Sequence, residues 1–232
     1  MDQDRKRHML GVFKGPLLKI KDSLLMMASL TDRNMTLALN AYLNRDEEKA
    51  ALVENEDEVI DRLEIDIDEL VITYVSTHAP IATACRVALS ASKISESLEN
   101  IADQAVTIAR RANLLCQMPE LEVGVDIPRM SNLTLSMMRD SIHAFVEVKP
   151  ELAMEIKARD KEVDALNHRY EDVLNKLMSE NPEQVEACVH TMLICRSIER
   201  AADYTKHIAE DVVFLYTAKD IRHRGTPVQH IT

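Results

Sequence analysis

Tryptophan is absent from this 232-residue chain, aromatic residues make up only 3% of it, and just four glycines interrupt it. A many-stranded β protein needs frequent turn residues to separate its strands, and this chain has too few for that. The glycines at 11, 15, 124 and 225 stand isolated, so no GxxxxGK-type loop is available to cradle a nucleotide phosphate. Nothing approaches the eighteen-residue apolar run of a membrane span, and the N-terminus lacks a signal peptide's hydrophobic region. Positive charge is also scarce. A net charge of −11 weighs against nucleic acid as a partner, because phosphate backbones require a basic face. Two basic spots, Arg5-Lys6-Arg7 and Arg222-His223-Arg224, lie near the termini and read as solubilising charge. The four cysteines (Cys85, Cys116, Cys188, Cys195) form no CxxC pair and sit among apolar residues of helical pattern. That suits reduced packing residues in a cytoplasmic protein. No Ser-His or Cys-His arrangement suggests a nucleophile, so the expectation is a protein that is not an enzyme.

What remains is a chain 46% hydrophobic, enough for a substantial core and against disorder. Its apolar fraction is dominated by Leu, Ile, Ala and Met, which favours an all-α fold. Punctuation marks six helices. The first runs from near Pro16 to about Leu43, and the second from the Asn44-Arg45-Asp46 turn to about Thr77. The third, with Pro80 in its first turn, reaches about Cys116. Gln117 to Ile127 (QMPELEVGVDI) is the one plausible interdomain linker. Pro128 opens a fourth helix that ends near Val148, and a fifth runs to about Ser179. The sixth carries the strongest start signal: Asn181 as cap, Pro182 at the first position, Gln184 completing a capping box.

The chain also repeats itself. Between Ile94–Ala109 and Ile194–Ala209, seven of sixteen positions are identical: Ile94, Ser97, Glu99, Ala102, Asp103, Ile108 and Ala109 each recur one hundred residues later. Chance gives about one. At a shift of 103, Asp57, Asp61 and Leu63 return as Asp160, Asp164 and Leu166. The chain therefore reads as a tandem duplication of a three-helix unit, residues 1–118 and 119–232. Each unit buries its stripes by closing into a bundle with short connections.

Acids four residues apart share one helix face. Nine such pairs occur in the chain, so a single pair means solvated helix surface. Recurrence is the signal. Four pairs occupy equivalent places in the two units: Asp57/Asp61 and Glu99/Asp103, then Asp160/Asp164 and Glu199/Asp203. Asp160 falls between Ile156 and Val163 on an inward stripe, and Asp57 lies in line with Val53 and Ile60. Four converging carboxylates repel unless protonated or bound to cations, and clustered oxygens suit hard or borderline metals. The plainer alternative places the pairs at the stripe's outer edge, in contact with water and nearby Lys or Arg. Two histidines extend the pattern in the second unit alone. His168 follows Asp164 by four and His207 follows Asp203 by four, whereas the first unit has Ile65 and Thr107. The second site is thus expected to recruit an imidazole; ordinary exposed helix histidines are the alternative.

The stretch Asn181 to His223, NPEQVEACVHTMLICRSIERAADYTKHIAEDVVFLYTAKDIRH, resembles the closing helix of the PhoU family of phosphate-signalling proteins. The family's ERIGD-like core, NIAE-like segment and closing T-x-x-D-[IV]-R-H read here as ERAAD, HIAED and TAKDIRH. SLENIADQAVTIARRA matches in the first unit, and AYLNRDEEKAALVENEDEVIDRLEIDIDEL resembles the entry into helix 2. The resemblance spans essentially the whole chain. It implies a cytoplasmic, often dimeric regulator of two tandem three-helix bundles. Such a regulator acts with the phosphate ABC transporter, through its ATPase subunit, and with a membrane sensor histidine kinase. It restrains uptake and phosphate-starvation genes when phosphate is plentiful. It further implies metal ions, iron or zinc or another divalent ion, on Asp57, Asp61, Glu99, Asp103, Asp160, Asp164, Glu199 and Asp203. The sequence departs from the pattern where Ala102 and Ala202 replace the Gly of ERIGD. Ala84 stands in place of an acid, Asn100 in place of the Arg at 200, and His207 in place of the Asn before IAE. The competing reading, a ferritin-like di-metal carboxylate oxidoreductase, calls for Glu-x-x-His motifs, and none occurs.

Overall fold

Four helices end on left-handed residues, none of them glycine, and among the described residues Gly15 is the one glycine with positive φ. The computed structural model describes residues 11–12, 14–121, 124 and 126–221. Among them run six long helices and no strand: α1 Pro16–Asn44, α2 Glu47–His78, α3 Ala82–Cys116, α4 Ile127–Glu147, α5 Pro150–Glu180 and α6 Val185–Thr217. Gly15, at φ +54°, makes the bend that Pro16 then continues as helix. The Asp46 side chain caps α2 by accepting from the Lys49 amide at 3.0 Å, and Asp126 caps α4 through the Arg129 amide at 3.0 Å. With glycine scarce, Arg45, Ala79, Val148 and Ala218 take the left-handed positions beyond α1, α2, α4 and α6. Each carries a steric cost that glycine would not. Arg45 offsets its own cost. Its guanidinium reaches the end of α3, donating to the carbonyls of Leu115 at 2.6 Å and Cys116 at 3.1 Å, and also to that of Met118. The Leu115 and Cys116 carbonyls have no partner within α3, though Leu115 also accepts from the Met118 amide just beyond it at 3.1 Å, and the cation sits at the negative end of the helix dipole.

Two expectations at helix starts are corrected. Pro80 lies ahead of α3, whose cap is Ile81, because the chain needs Ala79 and Pro80 to turn out of α2. The capping box at Asn181 does not form. The Asn181 side chain donates back to the Leu177 carbonyl, serving the end of α5, and Pro182–Gln184 makes a single 3₁₀ turn before α6 begins. The basic spots at Arg5-Lys6-Arg7 and Arg222-His223-Arg224 lie outside the described residues, as does the close of the TAKDIRH motif.

Helices α1, α2 and α3 pack on one another as one bundle, and α4, α5 and α6 as a second. The apolar stripes meet inside each: Val53, Ile60, Ile67 and Leu98 in the first, Ile156, Val163, Tyr170 and Ile198 in the second, all fully buried. The bundles also meet each other. Helix α3 lies along α6, and α1 touches α4, where Arg139 and Asp32 form a two-point ion pair at 2.7 and 3.2 Å. Small residues, among them Ala102, Ala105 and Ala109 in α3 and Ala201, Ala202 and Ala209 in α6, are buried and let neighbouring helices approach closely. One continuous hydrophobic core runs through both bundles. No helix among the described residues is long and apolar enough to cross a membrane.

Candidate metal centres

Each predicted acid quartet is brought together by the face that its helix turns toward its neighbour. In the first bundle Asp57 and Asp61 on α2 meet Glu99 and Asp103 on α3. Burial raises the carboxyl of Asp57 to about 6, helped by the charges of Asp61 and Asp103. Burial also raises Glu99 to about 7, with Asp103, Glu64, Asp61 and Asp57 all adding repulsion. Asp61 and Glu64 are raised for the same reasons, burial first. Glu64 is an addition that the pairwise spacing did not single out. The Oδ1 of Asp57 is buried and lacks a hydrogen-bond partner. Among the described residues the cation acting on Asp57 is Arg110, which is itself bonded to Glu54 at 3.2 Å.

In the second bundle Asp160 and Asp164 on α5 meet Glu199 and Asp203 on α6, but a cation stands among them. The ammonium of Lys206 lies 2.7 Å from Asp160 Oδ2 and also bonds Asp203. Asp160 is 4% exposed, wedged between Ile156 and Val163 as the stripe indicated. Burial pushes its carboxyl up and Lys206 pulls it back. Burial alone would lower the Lys206 ammonium, but its bonds to Asp160 and Asp203 outweigh that and raise it. Glu199 is raised by burial, then by Asp203, Asp164 and Asp160. Of the two extra histidines, His168 is exposed, with Nδ1 2.8 Å from the Asp164 carbonyl. His207 is exposed too, edge-on to Tyr204 and lining the same groove as Asp160, Asp164 and Lys206. Lys206 was legible as the residue three after Asp203, at a position that is Val106 in the first unit. A search for acids alone passes over it. Among the described residues, no three His, Cys, Asp or Glu side chains close into a finished metal-binding arrangement.

A family model described as the PhoU domain matches residues 24–112 and again residues 127–212. The chain belongs to the PhoU family. It is 31% identical over 217 residues to a phosphate-specific transport system accessory protein PhoU homolog of Zymomonas mobilis, covering 94% of this chain and 92% of that one. The Escherichia coli protein of that name, PhoU, is 27% identical over 222 residues, covering 94% and 91%. The crystal structure of PhoU from Pseudomonas aeruginosa superposes with a TM-score of 0.87 at 29% identity, over 89% of this chain and all of that one. The two PhoU domains begin and end within the two helical bundles. They also carry the two acid clusters, so each cluster is a feature of one domain. The clusters differ in fitness for a cation. Each domain holds a buried carboxylate oxygen without a hydrogen-bond partner, Asp57 Oδ1 and Asp160 Oδ1, but in the first bundle the carboxylates are held up by mutual repulsion, a donor set that suits a hard or borderline ion. In the second domain Lys206 already supplies the positive charge that Asp160 and Asp203 need.

Proposed function

We propose that this PhoU-family chain is a non-catalytic regulator of phosphate uptake, linking a phosphate ABC transporter, through its ATPase subunit, to a membrane sensor histidine kinase. The observation carrying the reading is the match of both halves to the PhoU domain, with relatives of near-equal length named as accessory proteins of a phosphate-specific transport system. In this reading the protein is a cytoplasmic homodimer that restrains uptake and phosphate-starvation genes while phosphate is plentiful. Its metal, iron or zinc or another divalent ion as the family resemblance implies, sits on Asp57, Asp61, Glu99 and Asp103. Asp160, Asp164, Glu199 and Asp203 form the second candidate set, with His168 and His207 at its margin. The metal's contribution is charge neutralisation that ties α2 to α3. The ferritin-like alternative finds no Glu-x-x-His motif to support it. The test is deletion of the gene, followed by phosphate uptake and starvation-gene expression in phosphate-rich medium. Uptake should run unchecked and starvation genes should be expressed; normal uptake with silent genes would overturn the reading.

A further inference from the structure

Two clefts flank the line along which α3 meets α6. The larger, about 520 Å³, lies beside the C-terminal half of α3 and the N-terminal half of α6 and is lined by Arg110, Arg111, Arg196 and Arg200. The smaller, about 290 Å³, lies beside the other two halves. Every residue lining the smaller cleft has a counterpart one hundred positions away lining the larger, so the two are copies of one site made by the duplication. The copies are opposite in charge. Arg196 stands where the other cleft has Glu96, Arg111 where it has Asp211, and Arg200 where it has Asn100. In the smaller cleft Lys93 lies 4.0 Å from Asp211.

The basic copy has no such balance. Arg110 is taken by Glu54, but among the described residues Arg111, Arg196 and Arg200 form no ion pair within 4.0 Å. Arg111 faces the His190 ring at 3.4 Å and Arg200 the Tyr204 hydroxyl at 3.4 Å, partners that leave the charge in place. Asp103 is the single carboxylate lining the cleft, and Arg196 partly offsets Glu199 beside it. Two polar side chains more than nine-tenths buried, Gln104 and Ser197, are also part of the lining.

We infer that this cleft is an oxyanion site for a phosphate-class ligand, gripped by Arg111, Arg196 and Arg200. Guanidinium is a planar fork of donors that matches phosphate and carboxylate oxygens two at a time. Three forks around one volume offer more donors than the two oxygens of a carboxylate accept, whereas a phosphate group presents three or four oxygens and more charge. The ligand is either free phosphate or a phosphoryl group within a larger anion. This inference stands on the cleft alone and does not need the regulatory role to hold.

The test is calorimetric titration of the full chain, treated with chelator so that no metal at the acid clusters can present phosphate. Orthophosphate and tripolyphosphate serve as separate probes. Arg196→Gln with Arg200→Gln should weaken binding at least tenfold, and Arg196→Lys with Arg200→Lys should weaken it less, since lysine keeps charge but loses the fork. Lys93→Gln, in the opposite cleft, should leave binding unchanged. Because Arg196 and Arg200 are exposed, these variants should keep the wild-type melting profile. Binding of orthophosphate identifies the free anion as ligand, and binding of tripolyphosphate alone identifies a linked phosphoryl group. Absence of binding by both probes, or equal binding by the Arg196→Gln, Arg200→Gln protein, overturns the inference.

Discussion

Lys206 is the residue on which the two acid clusters diverge, standing where the first unit has Val106. Replacing it by methionine keeps the apolar stem and removes the ammonium, leaving Asp160 buried with no positive partner. Breaking one side of such a pair costs more than the pair contributes, on the order of 2 kcal/mol for this partly buried case. Lys206→Met should therefore lower the urea midpoint, and Asp160→Asn added to it should restore much of the loss. A double variant no more stable than Lys206→Met would show that Asp160 is not the group left exposed to the penalty. In the first bundle the sign is reversed, since there charge itself is the cost. Asp57 and Glu99 titrate near 6 and 7 when folded, above their ordinary values of 3.8 and 4.5. The folded state thus holds protons that the unfolded state releases, and their contribution is full below about pH 4 and lost as pH rises through 6 to 7. For metal-free protein, Asp57→Asn with Glu99→Gln should melt about 2–4 °C above wild type at pH 8, which corresponds to ~1 kcal/mol after solvent screening. The gap should narrow at pH 5 and close below about pH 4; an equal gap at pH 8 and pH 4 would mean that these carboxyls are not the source. Adding zinc or iron(II) at pH 7.5 should raise the wild-type melting temperature and not that of the double variant.

At the scale of the element, the helices were legible because their signals are local. Pro16, Asp46 and Pro150 act within a turn of themselves, and a 3.6-residue stripe is a property of one helix. The acid quartets were legible for a different reason: duplication repeated them, and repetition separates a pattern from the background of 39 acids. What was not legible depends on which helix faces which. Asn181 had two helices to serve and served the earlier one. The arginine cleft draws from α3 and α6 together, and no spacing within either helix announces it. Helix ends, by contrast, are open to a direct test. Ala79 closes α2 at φ 42° and is exposed, so glycine there loses no packing and relieves the left-handed strain. Ala79→Gly should stabilise the protein by about 0.5–1 kcal/mol even after glycine's greater unfolded-state entropy, visible as a small rise in melting temperature. A fall instead would show that the turn between α2 and α3 relaxes without glycine's help.

For the whole molecule the question is whether two PhoU domains unfold as two bodies or one. Chains beyond about 150 residues commonly break into separate transitions, each domain melting by itself. Here the helices that join the domains, α3 and α6, are also the ones most deeply built into each domain's interior, and their small buried residues let the backbones approach closely. Losing one domain would strip α3 or α6 of its longest partner and expose a continuous core that includes residues of all six helices. The α3–α6 pairing between the domains is the most extensive of any two helices, and a single transition is the expected result. Ile60 in α2 and Ile156 in α5 are fully buried and belong to helices on opposite sides of the molecule, away from the α3–α6 contact. Truncating either to alanine should cost about 2–5 kcal/mol through lost burial and the cavity left behind. If the domains are coupled, Ile60→Ala and Ile156→Ala should each move the same single calorimetric transition. If the domains are independent, each variant should split the trace, shifting its own domain's transition and leaving the other in place.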